Sequence, residues 1–277
     1  MPPPGTLWLV GTPIGNLKDL SDRGRDVLAR ADVIACEDTR HTRKLLSHFG
    51  IRASRLLSFY EGNERSRIAE VLAHVRDGWD VALVTDAGMP ALSDPGYRLV
   101  AAAAEEGLPV DAVPGPTAAV TALVLSGLPT DRFAFEGFLP RKPGARRARL
   151  EAVRGEERTL VLYESPRRVE ELVRDALDAL GDRRAALARE LTKVHQEVIR
   201  GRLSELLEQA AVARGEVVVV IEGSPGDEPP DLRGLADRVE RLTGEGMSRR
   251  DAAALVAEEA GVSRRAVYEA SLHTEGG

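Results

Sequence analysis

The chain is 277 residues long, which at about 150 residues per domain has room for two. Its composition is that of an ordinary globular protein, 43% hydrophobic, 30% charged and 4% aromatic; the one cysteine excludes an intramolecular disulfide, and five scattered histidines without a paired HExxH leave no expected metal site. Thirty-eight basic residues against forty-four acidic ones give a formal net charge of −6, which argues against a generic polybasic nucleic-acid binder.

The chain opens Met1-Pro2-Pro3-Pro4-Gly5, without the basic and apolar regions of a signal peptide, so a cytoplasmic location is expected. Short apolar runs follow at Thr6–Val10, Asp32–Cys36, Leu56–Phe59, Val81–Val84 and Val110–Val113. Apolar on both faces, they read as strands buried in a parallel sheet. Helical segments alternate with them, at Leu17–Arg30, Thr39–His48, Glu64–Asp77, Tyr97–Glu106 and Thr117–Ser126. The pattern predicts an N-terminal α/β domain over 1–126, with ligands at the carboxyl ends of its strands.

Gly127-Leu128-Pro129-Thr130 reads as a linker within 127–132, and 133–223 as a second α/β domain. Its strands are predicted at Arg132–Phe138, Thr159–Tyr163, Ala185–Arg189, His195–Gly201 and Glu216–Ile221. Val169, Leu172, Val173, Ala176, Leu177 and Leu180 mark one face of a helix that Gly181 ends. The strands near 185–189 and 195–201 are too close for an intervening helix, which makes them antiparallel and this sheet mixed. The longest apolar run, Val217–Ile221, is far short of the ~20 residues that a membrane span needs. A linker at 224–230 leads to a helical module at 231–277. There Ser248-Arg249-Arg250-Asp251 has the form of a capping signal, and two short helices about Gly261 resemble a helix-turn-helix.

Three loops of small residues fall at the same predicted sheet edge: Gly11-Thr12-Pro13-Ile14-Gly15-Asn16, Thr85 to Gly96, and Pro114 to Ala119. Neither GxGxxG nor GxxxxGK[ST] is present, and Pro13 removes one backbone donor from a phosphate cradle. The loops therefore point to a pocket with close backbone approach for an uncharged or cationic group. Asp38, Thr39 and Arg40 follow the second strand at that edge, where a substrate contact and a helix N-cap both fit. Cys36 reads as a buried core thiol, and Trp8 and Trp79 as packing residues.

Taken in order, GTPIGN, CEDTR (36–40), TDAGMPALSDPG (85–96), VPGPTAA (113–119), EGFLPRK (136–142), ESPRR (164–168) and RELTKVHQE (189–197) resemble the bacterial small-subunit ribosomal RNA methyltransferase I family, a branch of the tetrapyrrole (corrin/porphyrin) methylase superfamily. The resemblance runs from Gly5 to about Leu272. It implies two α/β domains with S-adenosyl-L-methionine in the cleft between them, a homodimer, and 2′-O-methylation of a cytidine in the decoding region of 16S rRNA within the small ribosomal subunit. It also implies cofactor contacts at Pro13, Asp86, Ala87, Gly88, Pro90, Pro114, Gly115, Thr117, Ala118 and Tyr163. The superfamily's more usual GDPxxYG stands here as TDAGMPALSDPG, which leaves open whether Asp86 or Asp94 is nearer the cofactor.

A ribose hydroxyl reacts well only once its proton is taken, which is worth a factor of about 10²–10⁴. Glu164, Glu190 and Lys193 are the candidate bases, Lys193 being one of only four lysines beside thirty-four arginines; a phosphate or carboxylate contact is its alternative role. For RNA, Arg141, Lys142, Arg146, Arg147 and Arg149 form a strip without an acid, and Arg167 and Arg168 add two cations by ESPRR. The helical module is acidic on balance, so RNA would meet it through one face, at Arg249-Arg250 and Arg264-Arg265; a helical tail packed on the body is the other reading. A tetrapyrrole-precursor methylase and a non-catalytic ribosome-assembly factor are the alternatives to the rRNA enzyme.

Overall fold

The computed structural model describes residues 3–226 and 232–272, so part of the expected 224–230 linker, and the chain beyond 272, lie outside the described residues. The chain divides into two units, Met1–Ser224 and Pro225–Gly277.

The first unit holds two five-stranded sheets. Strands β1 (Leu7–Val10), β2 (Val33–Cys36), β3 (Leu56–Ser58), β4 (Val81–Val84) and β5 (Val110–Val113) form an all-parallel sheet in the order β3-β2-β4-β1-β5. The crossovers are α1 (Asp22–Arg30), α2 (Thr39–His48), α3 (Glu64–Arg76) and α4 (Tyr97–Glu105). Every residue of β2 and β4 is buried, as expected for strands covered on both sides. Val27, Leu28 and Leu46 of α1 and α2 pack with Ile34, Ala82 and Val84 on one face; Val71, Leu72, Leu99 and Ala103 of α3 and α4 pack with Val33, Val81 and Leu83 on the other. The predicted Leu17–Arg30 helix is broken: a single 3-10 turn at Leu17–Asp19 precedes α1, because the Ser21 side chain accepts from Gly24 N and restarts the helix.

The second sheet, β6-β7-β10-β8-β9, comprises Phe133–Phe138, Thr159–Glu164, Val217–Ile221, Arg184–Arg189 and Glu197–Arg202 in that order. Only β6 and β7 are parallel; β8 and β9 are antiparallel, as their spacing requires, and the sheet is mixed. Val217, Val219 and Ile221 face α7 (Val169–Leu180) and α8 (Leu203–Ala211), while Val218 and Val220 face α5 (Ala118–Ser126). This period of two explains the continuous valine run, since both faces are covered. Helix α5 belongs to the N-terminal half in sequence but packs through Ala119, Ala122 and Leu123 on the second sheet. The expected 127–132 linker thus follows a helix that already lies against the second sheet.

Two helices lie outside the sequence-based elements, α6 (Pro143–Ala152) and α8. Helix α7 buries Val169, Leu172, Val173, Ala176 and Leu180, with Gly181 at its C-cap at φ 81°. Trp8 lies beneath the guanidinium groups of Arg23 and Arg30, and Trp79 stacks on His74; both are packing residues. The Cys36 thiol is buried, donates to Leu57 O at 3.7 Å, and has its pKa raised chiefly by that burial.

In the second unit, α9 (Leu232–Gly244), α10 (Arg249–Ala260) and α11 (Arg264–Leu272) enclose a small core of Val239, Ala252, Ala253, Val256, Ala257 and Val267. Ser248 caps α10 as the sequence predicts, its hydroxyl accepting from Asp251 N and donating to the Asp251 carboxylate at 2.6 Å.

Candidate active site

Strands β1 and β4 are neighbours, yet the chain leaves them toward opposite faces of the sheet, β1 into α1 and β4 into α4. Such a divergence opens a crevice at the carboxyl ends of the two strands, where α/β sheets bind their ligands. Here the loop after β1 is tied to the loop after β4. Thr12 N donates to Gly88 O (2.9 Å), Gly88 N to Thr12 O (3.1 Å), and the Thr12 hydroxyl to Thr85 O (3.1 Å). The loop after β5 closes on the same point: a Cβ on Gly11 would stand 2.6 Å from Gly115 Cα. Small residues at these loops are thus required by backbone-to-backbone packing.

A cavity of about 420 Å³ lies beside these loops. The first sheet contributes Glu37 and the segments Thr85–Met89 and Leu92–Asp94; Thr117 and Ala118 come from the start of α5, and Phe138, Tyr163, Glu164 and Ser165 from the second sheet's edge. A smaller cavity of about 290 Å³ shares Ile14, Thr85, Asp86, Ala87 and Glu216 with it and is lined further by Pro13, His41, Lys44 and Lys193. Of the predicted cofactor residues, Asp86, Ala87, Gly88, Thr117, Ala118 and Tyr163 meet at the larger cavity, and Pro13 borders the smaller one. Pro90, Pro114 and Gly115 line neither. Pro90 is buried behind its loop, Pro114 is exposed, and Gly115 is occupied with the Gly11 backbone.

The larger cavity is anionic. Glu37, Asp86, Asp94, Glu164 and Glu216 line it, and no lysine, arginine or histidine does among the described residues. Its carboxylates are held differently. The Thr85 hydroxyl donates to Glu37 at 3.0 Å. Asp86 accepts from Asp38 N at 3.3 Å and faces His41 Nδ1 at 3.7 Å. Asp94 is pushed up to about 6, first by burial and next by the charge of Glu37, with Asp86 adding and the Thr85 hydroxyl opposing. Glu164 is buried with one oxygen bound by Ser165 N (2.7 Å) and by Arg168 (2.5 and 2.9 Å), while its Oε2 has no hydrogen-bond partner. Tyr163 accepts from Ala119 N at 3.0 Å, tying the start of α5 to the second sheet; burial, foremost, raises its pKa.

Lys193 is held by two carboxylates. Its Nζ donates to Glu190 at 3.0 Å and Glu216 at 3.1 Å. Burial alone would lower its pKa, but the two carboxylates outweigh burial and raise it, so the ammonium keeps its proton near neutrality. Glu190 is lowered mainly by the hydrogen bond from Lys193, and its backbone is held at φ 49°. Lys193 and Glu190 are an ion pair at the rim of the smaller cavity, the carboxylate contact being the role the structure supports.

The basic strip is also redistributed. Arg146 is only 2% exposed, with Nε on Asp175 at 2.6 Å and Nη2 on Glu171 at 3.1 Å, so it fastens α6 to α7 and cannot meet RNA at the surface. Arg147 pairs with the other Asp175 oxygen (2.7 Å), and Arg149 with Glu136 (2.7 Å). Arg168 belongs to Glu164. Arg141, Lys142 and Arg167 are exposed. Asp38 caps α2 by accepting from Arg40 N at 2.7 Å, and it pairs with the Arg40 guanidinium, whose hydrogen bond draws the carboxyl down to about 2. Thr39 begins α2 beside it. Sequence reasoning missed Glu37, Asp94 as a chemical group, and Glu216; the available signal was that Glu37 directly follows β2, Glu216 directly precedes β10, and Asp94 lies in the small-residue loop between β4 and α4.

Residues 6–207 match the family model of the tetrapyrrole (corrin/porphyrin) methylases. Residues 230–274 match that of the RsmI C-terminal HTH domain. The chain is 49% identical over 269 residues to the ribosomal RNA small subunit methyltransferase I of Micromonospora olivasterospora, covering 96% of this chain and 86% of that protein. It is 44% identical to the protein of the same name from Escherichia coli O157:H7, covering 98% and 96%. It therefore belongs to the small-subunit ribosomal RNA methyltransferase I family, within the tetrapyrrole methylases. Among solved structures, uroporphyrin-III-C-methyltransferase from Thermus thermophilus aligns with a TM-score of 0.58 at 23% identity over 79% of this chain and 94% of that one. Diphthine synthase aligns with a TM-score of 0.58 at 15% identity, covering 78% and 89%. These two share the fold. No described helix is long and apolar enough to cross a membrane.

Proposed function

We propose that the protein transfers a methyl group from S-adenosyl-L-methionine to the ribose 2′-hydroxyl of a cytidine in the decoding region of small-subunit rRNA. The observation that carries the reading is the carboxylate-lined cavity at the β1–β4 crevice: five carboxylates, one with an unpaired buried oxygen and two, Glu164 and Glu216, paired with cations from outside the wall, with no lysine, arginine or histidine in the wall among the described residues. A phosphate-bearing cofactor would be repelled there, while S-adenosyl-L-methionine, with a sulfonium and an α-ammonium against one carboxylate, brings a net positive charge. The volume also lies in the range of small-ligand sites. A related uroporphyrin-III C-methyltransferase of this fold, TM-score 0.55 and 21% identical, was solved with S-adenosyl homocysteine. The relatives' names supply the substrate class.

When bound, S-adenosyl-L-methionine supplies an electrophilic methyl group for in-line displacement. The chain's task is mainly alignment and charge matching. Asp86 and Glu164 would hold the cationic groups, Glu164 through Oε2. Gly88, Thr117 and Ala118 let the backbone approach, and Tyr163 covers the cavity from the second sheet while its hydroxyl fixes the start of α5. Arg141, Lys142 and Arg167 are left to meet RNA phosphates, with the helical module as a further contact. The test is labelled S-adenosylmethionine incubated with small ribosomal subunits from a strain lacking the enzyme. Label in a cytidine whose 3′ linkage resists alkaline hydrolysis is the expected result; label on a base, or none, overturns the reading.

A further inference from the structure

The acidic cavity contains one carboxyl group whose setting differs from its neighbours'. Asp94 lies on a loop locked in unusual backbone conformations, with Ala91 at φ 69°, Ser93 at φ 62° and Gly96 at φ 133°. Left-handed backbone is strained for the non-glycine residues there, and such strain persists only where surrounding structure enforces it. The enforcement is visible: Ala91 N donates to Pro95 O at 3.2 Å, and Gly96 N to the buried Glu64 carboxylate at 3.0 Å, itself paired with Arg98. The loop therefore presents Asp94 to the cavity in a fixed place.

The groups facing Asp94 are Glu37 after β2, Thr85 and Asp86 after β4, and Tyr163 on β7; Glu164 and Glu216 line the same cavity. Thr85 has one hydroxyl hydrogen, and it is given to Glu37 at 3.0 Å while Asp94 competes for it. Among the described residues no lysine, arginine or histidine lines the cavity wall with Asp94; of the wall's other carboxylates, Glu164 is paired with Arg168, Glu216 with Lys193, and Asp86 faces His41, which leaves Glu37 and Asp94 without an ion pair. Among the described residues Asp94 is thus a positioned carboxyl group without an ion pair, beside the Glu37 carboxylate, and a cationic ligand would complement the two. The unpaired buried oxygen of Glu164 in the same wall points independently to a bound polar group.

We propose that Asp94 is the proton acceptor of the methyl transfer, and that the positive charge of the methyl donor in its cavity keeps the carboxylate empty until that charge is gone. The inference rests on the reading above. As the ribose oxygen forms its bond to the methyl carbon, the S–C bond breaks and its electron pair stays on sulfur, leaving a neutral thioether. The hydroxyl proton passes to an Asp94 oxygen. The cavity loses one positive charge at sulfur and regains one as the proton, so its net charge is unchanged by the reaction. Asp94 then returns the proton to water before the next donor binds. In the empty protein, the carboxyl group pushed up to about 6 is half protonated near that pH, and a bound cation lowers it.

The test has two parts. Titration calorimetry near pH 6, in buffers of different ionisation enthalpy, measures protons exchanged on binding. S-adenosylmethionine should release up to about half a proton per site and S-adenosylhomocysteine, lacking the sulfonium charge, distinctly less. Asp94→Asn should abolish the difference while still binding both. In single-turnover methyl transfer, Asp94→Asn should lower the rate by about 10²–10⁴ and remove the acid limb of the wild-type pH profile. Glu37→Gln should shift that limb to lower pH by removing the repelling charge. Equal proton release with both ligands, release persisting in Asp94→Asn, or a variant that keeps the wild-type rate and limb each overturns the inference. Failure of the wild type to label rRNA would overturn the functional reading instead, and the calorimetric comparison stands apart from it.

Discussion

Substitution of Asp175 by alanine should destabilise the first unit far more than any change at the surface of α6. Asp175 accepts from Arg146 at 2.6 Å and from Arg147 at 2.7 Å, and its side chain is 3% exposed. Removing it leaves the Arg146 guanidinium buried with only Glu171, 59% exposed, to balance its charge. Stranding one member of a buried ion pair costs about 3–5 kcal/mol. For a unit of this size each kcal/mol moves the melting temperature by about 2–4 °C, so a fall of about 6–20 °C is expected. Arg146→Met should cost less, about 1–3 kcal/mol, because Asp175 keeps Arg147 and the methionine fills the same channel. Burial alone would raise the Asp175 pKa, but the hydrogen bonds from Arg147 and Arg146 outweigh it and lower it. Its contribution is therefore complete above roughly pH 4 and is lost as pH falls through the depressed folded value, so wild type and Asp175→Ala should converge in strong acid. Both tryptophans, Trp8 and Trp79, lie in the first unit, so their fluorescence during urea or thermal unfolding reports this unit directly. A loss below about 2 °C for Asp175→Ala, or an Arg146→Met variant of full stability that no longer binds RNA, would refute the structural assignment of Arg146.

Gly11→Ala places a methyl group 2.6 Å from Gly115 Cα and 2.7 Å from Met89 Sδ; the loops must part, and calorimetry should show at least a tenfold loss of S-adenosylmethionine affinity, while unchanged affinity would mean that the close approach is unnecessary. Replacing Arg141, Lys142 and Arg167 together should weaken rRNA binding and reduce the slope of log affinity against log salt by about 0.7–0.9 per lost phosphate contact, whereas the ion-paired Arg147 and Arg149 should change it little; an equal effect from the two sets would contradict the assignment. Ser248→Ala removes the cap of α10 and should cost about 1 kcal/mol, read as faster amide exchange at the start of that helix, and exchange as slow as in the wild type would show the cap to be idle.

Much of this protein was legible without coordinates, for a physical reason. Strands buried on both faces must be apolar throughout, so Val33–Cys36, Val81–Val84 and Val217–Ile221 announce themselves, and a helix with one buried face must repeat as α7 does. Glycine in a loop is legible where no side chain can fit, as at Gly11 and Gly115. Local chemistry could be read too, including the caps by Asp38 and Ser248, which involve neighbours only two or three residues away. Helix α6 escaped because its buried face is built from Arg146 and Leu150, and an arginine at a core position breaks the apolar period.

What only the tertiary structure decided concerns pairs distant in sequence. A run of cations at 141–149 looks like a surface strip until Asp175, Glu171 and Glu136 are brought against it, because charge is neutralised by proximity in space and a sequence records proximity only along the chain. The same holds at the crevice. Sequence order placed Asp86 and Asp94 in one motif without ranking them, and Lys193 among the candidate bases. Folding set Glu190 and Glu216 on Lys193, which raises it, and buried Asp94 near Glu37, where burial first and the neighbouring charge second raise it. The motif names the residues of the site, and the neighbours supplied by other strands set the charge that each of them meets.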